Sequence, residues 1–249
     1  MNHKSVVVLG LARSGTSVVT GILRTLGVDM GSSIPDKANP YGSFEDKDLA
    51  DLHKKIFDAA GYKTYWNPPA PEAILGLRDQ WEPQIREIVR KKSMGSHIWG
   101  WKHPRTILTF DLFLPHLENP HLVAVFRNPL GIARSSVEHT KKYTADRVDF
   151  FQALNLLTFY YSELFKLLER HRDLPVMMVG FEDVVSEPII HAEKMAKFLQ
   201  LELTQEKKAQ LERLVIPRAE IANEKAKSKR FFTGKLPRLW RKYQNLFSR

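Results

Sequence analysis

A glycine-containing loop near the start of the chain has the residue types of a phosphate-binding loop. In VVVLGLARSGTS, four residues separate Gly10 from Gly15, as in the G-x-x-x-x-G frame whose backbone N–H groups surround a phosphate. Nucleotide-binding loops of this kind continue with Lys and then Ser or Thr, whereas this chain continues with Thr16 and Ser17. The positively charged residue of this loop is Arg13, which lies between the two glycines. The pattern therefore predicts an anion site that lacks the usual lysine.

The segments on either side of this loop give it a suitable structural context. SVVVLGL, before it, is a short β-branched apolar run, which is typical of a strand buried on both faces of a parallel sheet. GTSVVTGILRTLG, after it, has apolar residues at helical spacing and ends at Gly27. Strand, loop and helix in this order favour phosphate binding, and the alternative is a plain tight turn.

Arg127 and Ser135 form a second candidate for anion binding. HLVAVFRNP predicts a buried strand that ends near Arg127, and ligands of α/β sheets bind at the carboxyl ends of the strands. If LGIARSSVEH is helical, Ser135 lies about two turns beyond Arg127. Taken alone, Arg127 could equally be a salt-bridged residue at the edge of the sheet, and Ser135 an ordinary surface serine.

Two segments offer a group that could accept a proton. Glu45, in NPYGSFED, could act as a base from a partly dehydrated pocket, and the alternative is an acid at a helix start, where it suits the helix dipole. WGWKHPRT supplies Lys102, His103 and Arg105, of which a histidine titrates near neutral pH. Strand alternation predicts that Lys102 and His103 point to opposite faces. The alternative for this segment is a solvated basic turn.

The rest of the chain predicts the framework that holds these residues. Buried apolar runs alternate with stretches of helical spacing, as in HLVAVFRNP, VDFFQALNLLTFYYSELFKLLERH, LPVMMVGFED and HAEKMAKFLQL. This alternation predicts an α/β fold with a central, mostly parallel sheet flanked by helices, similar to that of P-loop proteins. We expect one domain over residues 1–224, followed by a basic extension over residues 225–249.

Composition limits the function further. The formal net charge of +10 comes almost wholly from residues 225–249, which hold nine Lys or Arg and no acid. The nearly neutral body argues against a nucleic-acid partner. The chain has no cysteine, so disulfides and thiolate metal sites are excluded, and its histidines lack the spacing of a metal site. No signal peptide or membrane-spanning run is evident, so we expect a cytoplasmic protein.

Three of these segments together resemble the family of sulfotransferases that use 3′-phosphoadenylyl sulfate (PAPS). LARSGTS resembles the family's loop for the 5′-phosphosulfate, VFRNPLGIARSS resembles its 3′-phosphate motif, and VGFEDVVSEP resembles a segment that follows a later strand. The resemblance implies that PAPS is the co-substrate and that no metal is needed. It also implies a hydroxyl-bearing acceptor, which is a small molecule, a glycan or a glycolipid.

The same resemblance implies roles for individual residues. Arg127 and Ser135 would hold the 3′-phosphate, and the 5′-phosphosulfate would be held by Arg13, Ser14, Gly15, Thr16 and Ser17. Glu45 matches the candidate base of an Asn-Pro-x-Gly…Glu stretch in bacterial members, and Lys102 would lie near the bridging oxygen. Cytosolic members have Lys-x-His-x-Pro with a histidine base, whereas His103 here directly follows Lys102 and directly precedes proline. Glu45 and His103 therefore both remain candidates.

Two other functions stay open on the sequence alone. A Mg²⁺-dependent P-loop kinase would need lysine in place of Thr16, and Glu182 and Asp183 would then form a metal-binding strand end. A non-catalytic nucleotide- or lipid-binding module would keep the fold and lack the chemistry. The extension over residues 225–249 could close over the nucleotide, pack on the body, or lie on an anionic membrane and make the protein peripheral to its inner face.

Overall fold

A computed structural model describes residues 3–32, 43–64, 66–144 and 147–213. Within these ranges, four parallel strands form one sheet in the order β2-β1-β3-β4. The strands are β1 (Lys4–Leu9), β2 (Ile98–Lys102), β3 (Pro120–Phe126) and β4 (Val176–Gly180). The predicted α/β fold with a central parallel sheet is confirmed. The predictions for the extension over residues 225–249 lie outside the described residues.

Helices cover the strand connections and both faces of the sheet. In chain order they are α1 (Thr16–Leu26), α2 (Lys47–Ala59), α3 (Pro71–Leu75), α4 (Arg78–Gly95), α5 (Thr106–Phe113), α6 (Pro129–Tyr143), α7 (Phe150–Arg170), α8 (Phe181–Ser186) and α9 (Pro188–Leu199). Among the described residues, no helix combines the length and the apolar character that crossing a membrane requires.

Alternating side chains of the two central strands divide the core into two layers. Val7 and Leu9 of β1 pack with α2, α4, α5 and α7 on one face. Val6 and Val8 pack with α1 and α9 on the other face. All four side chains are fully buried, as expected for a strand with helices on both sides. Burial of β-branched residues on both faces explains why the apolar run at the start of the chain becomes the centre of the sheet.

The strand register brings the loops of interest to one edge of the sheet. Val8 of β1 pairs with Lys102 at the end of β2, and Phe126 at the end of β3 pairs with Gly180 at the end of β4. The chain leaves β1 toward β2 on one side, and β3 lies on the other side. This arrangement is a topological switch point, where α/β sheets open a crevice for a ligand.

Helix α5 was not predicted, and its sequence explains why. In TILTFDLF, seven of the eight residues are buried, so no polar face creates a helical period. A second difference concerns FED after β4, which the apolar run LPVMMVGFED predicts to be the end of the strand. The strand ends at Gly180, and Phe181, Glu182 and Asp183 begin α8.

Candidate functional site

The loop after β1 turns its backbone toward the edge of the sheet. The N–H groups of Thr16 and Ser17 precede the first hydrogen bond of α1, which Val18 donates to the carbonyl of Gly15. No side chain caps this helix start, so the free N–H groups and the helix dipole favour an anion here. The Ser14 hydroxyl is fully buried and donates to the carbonyl of Leu11 at 2.6 Å. Ser14 therefore closes the loop with its side chain.

Two positions in this loop have left-handed backbone. Gly15 has φ of 92°, and a Cβ atom added there would collide with the ring of Phe181. Arg13 has φ of 71°, a conformation that costs a non-glycine residue about 1–3 kcal/mol. Strain of this kind is typical of functional loops, because the surrounding structure must enforce it. The strained backbone fixes where the Arg13 side chain leaves the loop.

Arg13, Ser135 and Arg127 meet at the ends of β1 and β3. The Nε atom of Arg13 donates to the Ser135 hydroxyl at 3.1 Å, across 122 positions of sequence. A guanidinium nitrogen of Arg127 donates to the backbone carbonyl of Arg13 at 2.8 Å. Ser135 lies within α6, as predicted. The structure thus brings together the two segments that the sequence singled out separately for anion binding.

Two residues flank the Arg127 side chain, and a third fixes its backbone. Its guanidinium carbon lies 4.6 Å from the ring centroid of Phe181, and its Nε atom lies 4.0 Å from a carboxylate oxygen of Glu182. The Tyr161 hydroxyl accepts from the backbone N–H of Arg127 and donates to its carbonyl, both at 3.1 Å. Burial lowers the pKa of Arg127, with a further contribution from the positive charge of Arg13. Two adjacent guanidinium groups therefore favour the binding of an anion.

Glu45 lies between Lys102 and His103. One carboxylate oxygen accepts from the Nζ atom of Lys102 at 2.6 Å, and the other lies 3.9 Å from the Nε2 atom of His103. The Lys102 side chain is 5% exposed and that of Glu45 is 23% exposed. The predicted divergence of Lys102 and His103 is not observed, because β2 ends at Lys102 and strand alternation does not extend to the next residue.

The ring of His103 is neutral at neutral pH. Burial lowers its pKa well below the usual value, and electrostatic interactions with His53, Arg105 and Lys102 lower the pKa further. Its Nδ1 atom accepts from the backbone N–H of Arg105 at 3.3 Å, which assigns the proton of the neutral ring to Nε2. In this tautomer the ring nitrogen that faces Glu45 is a donor. The geometry therefore favours Glu45 over His103 as the proton acceptor.

Asp46 and Ser17 hold the Glu45 segment against the body. Asp46, whose side chain is 1% exposed, caps α2 and pairs with Lys92 at 2.8 Å. Phe44 has left-handed φ of 53°, directly before Glu45. The Ser17 hydroxyl donates to the carbonyl of Ser43 at 3.3 Å, which connects the glycine loop to this segment. Glu45 itself precedes the cap of α2 and points away from the helix start to Lys102.

Arg105 lies two residues beyond His103. Its guanidinium carbon is 4.8 Å from the ring centroid of Phe57 and 4.7 Å from that of Tyr62. The sequence reading of a solvated basic turn does not describe this segment, because Lys102 and His103 are buried and Arg105 is only partly exposed.

The ring of His53 packs against that of His103, a contact that the sequence does not predict. The two rings stack with centroids 4.7 Å apart and an angle of 9°. The fully buried ring of His53 hydrogen-bonds Thr106 at 3.2 Å and Thr109 at 3.0 Å. Both ring nitrogens of His53 therefore have a neutral partner. The Thr106 hydroxyl also accepts from the indole N–H of Trp101. His53 sits on the buried face of α2 with helical spacing, which the sequence does not distinguish from an ordinary core position.

The neutral His53 network predicts a loss of stability in acid. Burial lowers the pKa of His53 to about 3, whereas an unfolded histidine binds a proton below about 6.5. The unfolded state therefore binds more protons as pH falls from 6.5 toward 3, which destabilises the fold by about 2 kcal/mol at pH 5. Urea unfolding at pH 7.5 and 5 measures this difference, which we expect to shrink in His53→Phe. An equal difference in both proteins would contradict the assignment.

Metal ligands are not grouped in the part of the chain that the structure describes. Glu182 and Asp183, considered as a metal-binding pair, lie in the first turn of α8. Glu182 instead accepts from the backbone N–H of Asn128 at 3.1 Å.

Comparisons with known proteins agree with this fold. The chain is similar to the sulfotransferase domain from the curacin biosynthetic pathway, with a TM-score of 0.52, 13% identity, and coverage of 82% of this chain and 76% of that domain. It is also similar to a sulfotransferase from Alicyclobacillus acidocaldarius, with a TM-score of 0.52, 14% identity, and coverage of 87% and 93%. No curated protein sequence matches the chain significantly.

The distant structures show the fold of the chain, whereas a sequence model of a protein family shows its family. The model described as the sulfotransferase family matches residues 5–205, which include every residue of the site described above. The matched range begins at the second residue of β1, includes the other three strands and extends beyond α9. The chain belongs to the sulfotransferase family.

Proposed function

We propose that this protein transfers a sulfuryl group from PAPS to a hydroxyl, or as a less favoured acceptor an amine, of a small molecule, glycan or glycolipid. The observation that carries the proposal is the meeting of Arg13, Ser135 and Arg127 beside the uncapped start of α1. A donor with phosphate groups at both its 3′ and 5′ positions needs two anion sites, and the two segments at this edge of the sheet would provide them.

The donor's 5′-phosphosulfate would lie at the start of α1. There the N–H groups of Thr16 and Ser17 and the Arg13 guanidinium would surround it. Gly15 lets the loop pass beside the Phe181 ring, because it has no Cβ atom. The buried Ser14 hydroxyl donates to the carbonyl of Leu11, so Ser14 would contribute to the donor site by keeping the loop closed.

The 3′-phosphate would be bound by Arg127 and Ser135. Arg127 presents a planar donor set that suits a phosphate, and Tyr161 fixes the backbone from which its side chain extends. Glu182 approaches the same guanidinium from a half-exposed position. The 3′-phosphate would displace this carboxylate from Arg127, because it carries more negative charge than the carboxylate does.

Glu45 and Lys102 would perform the chemistry. The acceptor oxygen forms a bond to sulfur in line with the breaking bond between sulfur and the bridging oxygen, and its proton passes to Glu45. Lys102 would turn from Glu45 to the bridging oxygen and stabilise the charge that develops there. The products are a sulfate ester and adenosine 3′,5′-bisphosphate. His103 would orient Glu45 by directing its Nε2–H toward the carboxylate.

The two alternative functions fit the site less well. A P-loop kinase needs a lysine directly after the second glycine, where its side chain extends to the phosphates. In this chain the position is taken by Thr16, which is nearly fully buried. A non-catalytic module would have no need of the largely buried Glu45–Lys102 pair. Membrane contact through residues 225–249 stays a prediction from composition.

Calorimetric titration without Mg²⁺ tests the donor site. We expect adenosine 3′,5′-bisphosphate to bind with micromolar Kd. Arg127→Ala should weaken this binding about 30-fold or more, because the variant removes the buried guanidinium that would contact the 3′-phosphate. Arg172→Ala, which removes an exposed arginine beyond the end of α7, is the matched control.

The same titration with ATP separates the alternatives. Binding of ATP only with Mg²⁺, together with no binding of the bisphosphate, would support the kinase and refute the proposal. Binding of the bisphosphate without transfer of sulfate from PAPS to any acceptor would support the non-catalytic module.

A further inference from the structure

The Arg105 guanidinium packs against two aromatic rings near the Glu45–Lys102 pair. It lies over the rings of Phe57 and Tyr62, with centroid distances of 4.8 and 4.7 Å. Its backbone is fixed at both ends, because its N–H donates to Nδ1 of His103 and its carbonyl accepts from Thr109 at 3.2 Å. The side chain is thus held where the loop after β2 meets α2.

No acid compensates the charge of Arg105 among residues 3–32, 43–64, 66–144 and 147–213. None of the ion pairs in these ranges includes it, and its guanidinium makes no hydrogen bond to a described residue. By contrast, Arg127 has Glu182 nearby, and Lys102 has Glu45. A partly buried cation without a counter-ion is costly, so a ligand anion at this position would be stabilising.

The titratable groups around Arg105 are neutral at neutral pH. Burial and the charge of Arg105 lower the pKa of both His53 and His103. Burial raises the pKa of the Tyr160 hydroxyl, so the phenol keeps its proton. Tyr62 contributes a ring to the same surface. The rings that surround the Arg105 side chain are therefore uncharged, which strengthens its attraction for an anion, and the nearby carboxylate of Glu45 is already paired with Lys102.

Arg105 also lies apart from the donor's anion site. Arg13 and Arg127 follow the ends of β1 and β3, whereas Arg105 follows β2 at the outer edge of the sheet. Its aromatic neighbours Phe57 and Tyr160 belong to the layer of α2 and α7, on the face opposite α1. The two residues from His103 to Arg105 span at most about 7 Å, which is within the length of a small acceptor.

We propose that Arg105 binds an anionic group of the acceptor, so that the acceptor is a hydroxyl compound that carries a carboxylate or a phosphate. The body of the acceptor would lie along Phe57 and Tyr62, and its hydroxyl would reach Glu45. This inference rests on the proposed function, because it identifies the substrate class of the same active site.

Paired acceptors test the charge requirement. The carboxylate pair is 4-hydroxyphenylacetate and its methyl ester, and the phosphate pair is glucose 6-phosphate and glucose. Transfer of labelled sulfate from PAPS gives kcat/KM for each compound. In at least one pair we expect the anion to be preferred about 10- to 100-fold. The pair that shows the preference distinguishes a carboxylate from a phosphate. Absence of preference in both pairs overturns the inference.

Two variants connect the preference to Arg105. Arg105→Met keeps an unbranched side chain on the aromatic rings and removes the charge, so the preference should fall to about onefold, whereas Arg105→Lys should retain part of it. The matched control is Lys63→Met, which removes an exposed cation next to Tyr62 and should leave the preference intact. A preference that persists in Arg105→Met also overturns the inference.

Titration of each variant with adenosine 3′,5′-bisphosphate separates this inference from the proposed function. Wild-type affinity in Arg105→Met, together with the lost preference, is the expected result. A large loss of nucleotide affinity in Arg105→Met would place Arg105 at the donor, which overturns the inference and leaves the proposed function standing. Failure of the wild-type protein to bind the nucleotide would refute the proposed function itself.

Discussion

Glu45→Gln is expected to lower kcat for sulfate transfer about 100- to 10,000-fold, because the amide cannot take the acceptor's proton. Glutamine keeps the size of the side chain, and its oxygen can still accept from Lys102, so the packing of the segment should be retained. The affinity for adenosine 3′,5′-bisphosphate should stay close to that of the wild type. Single-turnover transfer from labelled PAPS measures the rate, and calorimetry measures the affinity.

Two further variants make this result specific. Asp51→Asn removes an exposed acid from α2 and should leave kcat unchanged, which controls for the general loss of negative charge. His103→Asn retains a donor toward Glu45, so we expect a loss of about tenfold or less. A loss in His103→Asn greater than that in Glu45→Gln would assign the base to His103 and contradict the tautomer that Arg105 imposes.

Gly15→Ala is expected to abolish nucleotide binding, with an affinity loss of about 100-fold or more. The added methyl group would meet the Phe181 ring, which itself supports Arg127, so the glycine loop and the Arg127 side chain would both move. Left-handed backbone at the new alanine adds about 1 kcal/mol of strain. Calorimetry with adenosine 3′,5′-bisphosphate measures the affinity, and thermal unfolding measures the stability.

Gly61→Ala is the matched control for this variant. Gly61 also has left-handed φ, of 82°, but a Cβ atom there meets nothing within 4 Å. It should therefore lose about 1 kcal/mol of stability through backbone strain alone and retain full nucleotide affinity. Equal affinities in the two variants would mean that the loop does not hold the donor.

The parts of the site that follow from local sequence could be predicted. The order of strand, glycine loop and helix fixes the place of Arg13, and the apolar run before Arg127 fixes the end of β3. Because parallel strands end at the same edge of a sheet, the proximity of Arg13 and Arg127 follows from the fold class alone. The family model that matches residues 5–205 supports the fold that was expected.

The parts that depend on distant contacts could not be predicted. The pairing of Glu45 with Lys102 spans 57 positions and depends on how Asp46 and Ser17 fasten the Glu45 segment. No local pattern encodes these contacts. The alternation rule failed at His103 because the rule requires extended backbone, and the backbone turns after Lys102. The stack of His53 on His103 connects α2 to the end of β2, which periodicity alone does not reveal.

The central position of β1 has a consequence for biosynthesis. β1 is translated well before its two partners in the sheet, which begin at Ile98 and Pro120. At about 5–20 residues per second, its apolar side chains wait about 5–20 s before β2 can cover one edge, and longer for β3. Non-local pairing of this kind folds slowly and exposes aggregation-prone surface on the way. The nascent chain is therefore expected to need a chaperone until β3 has left the ribosome.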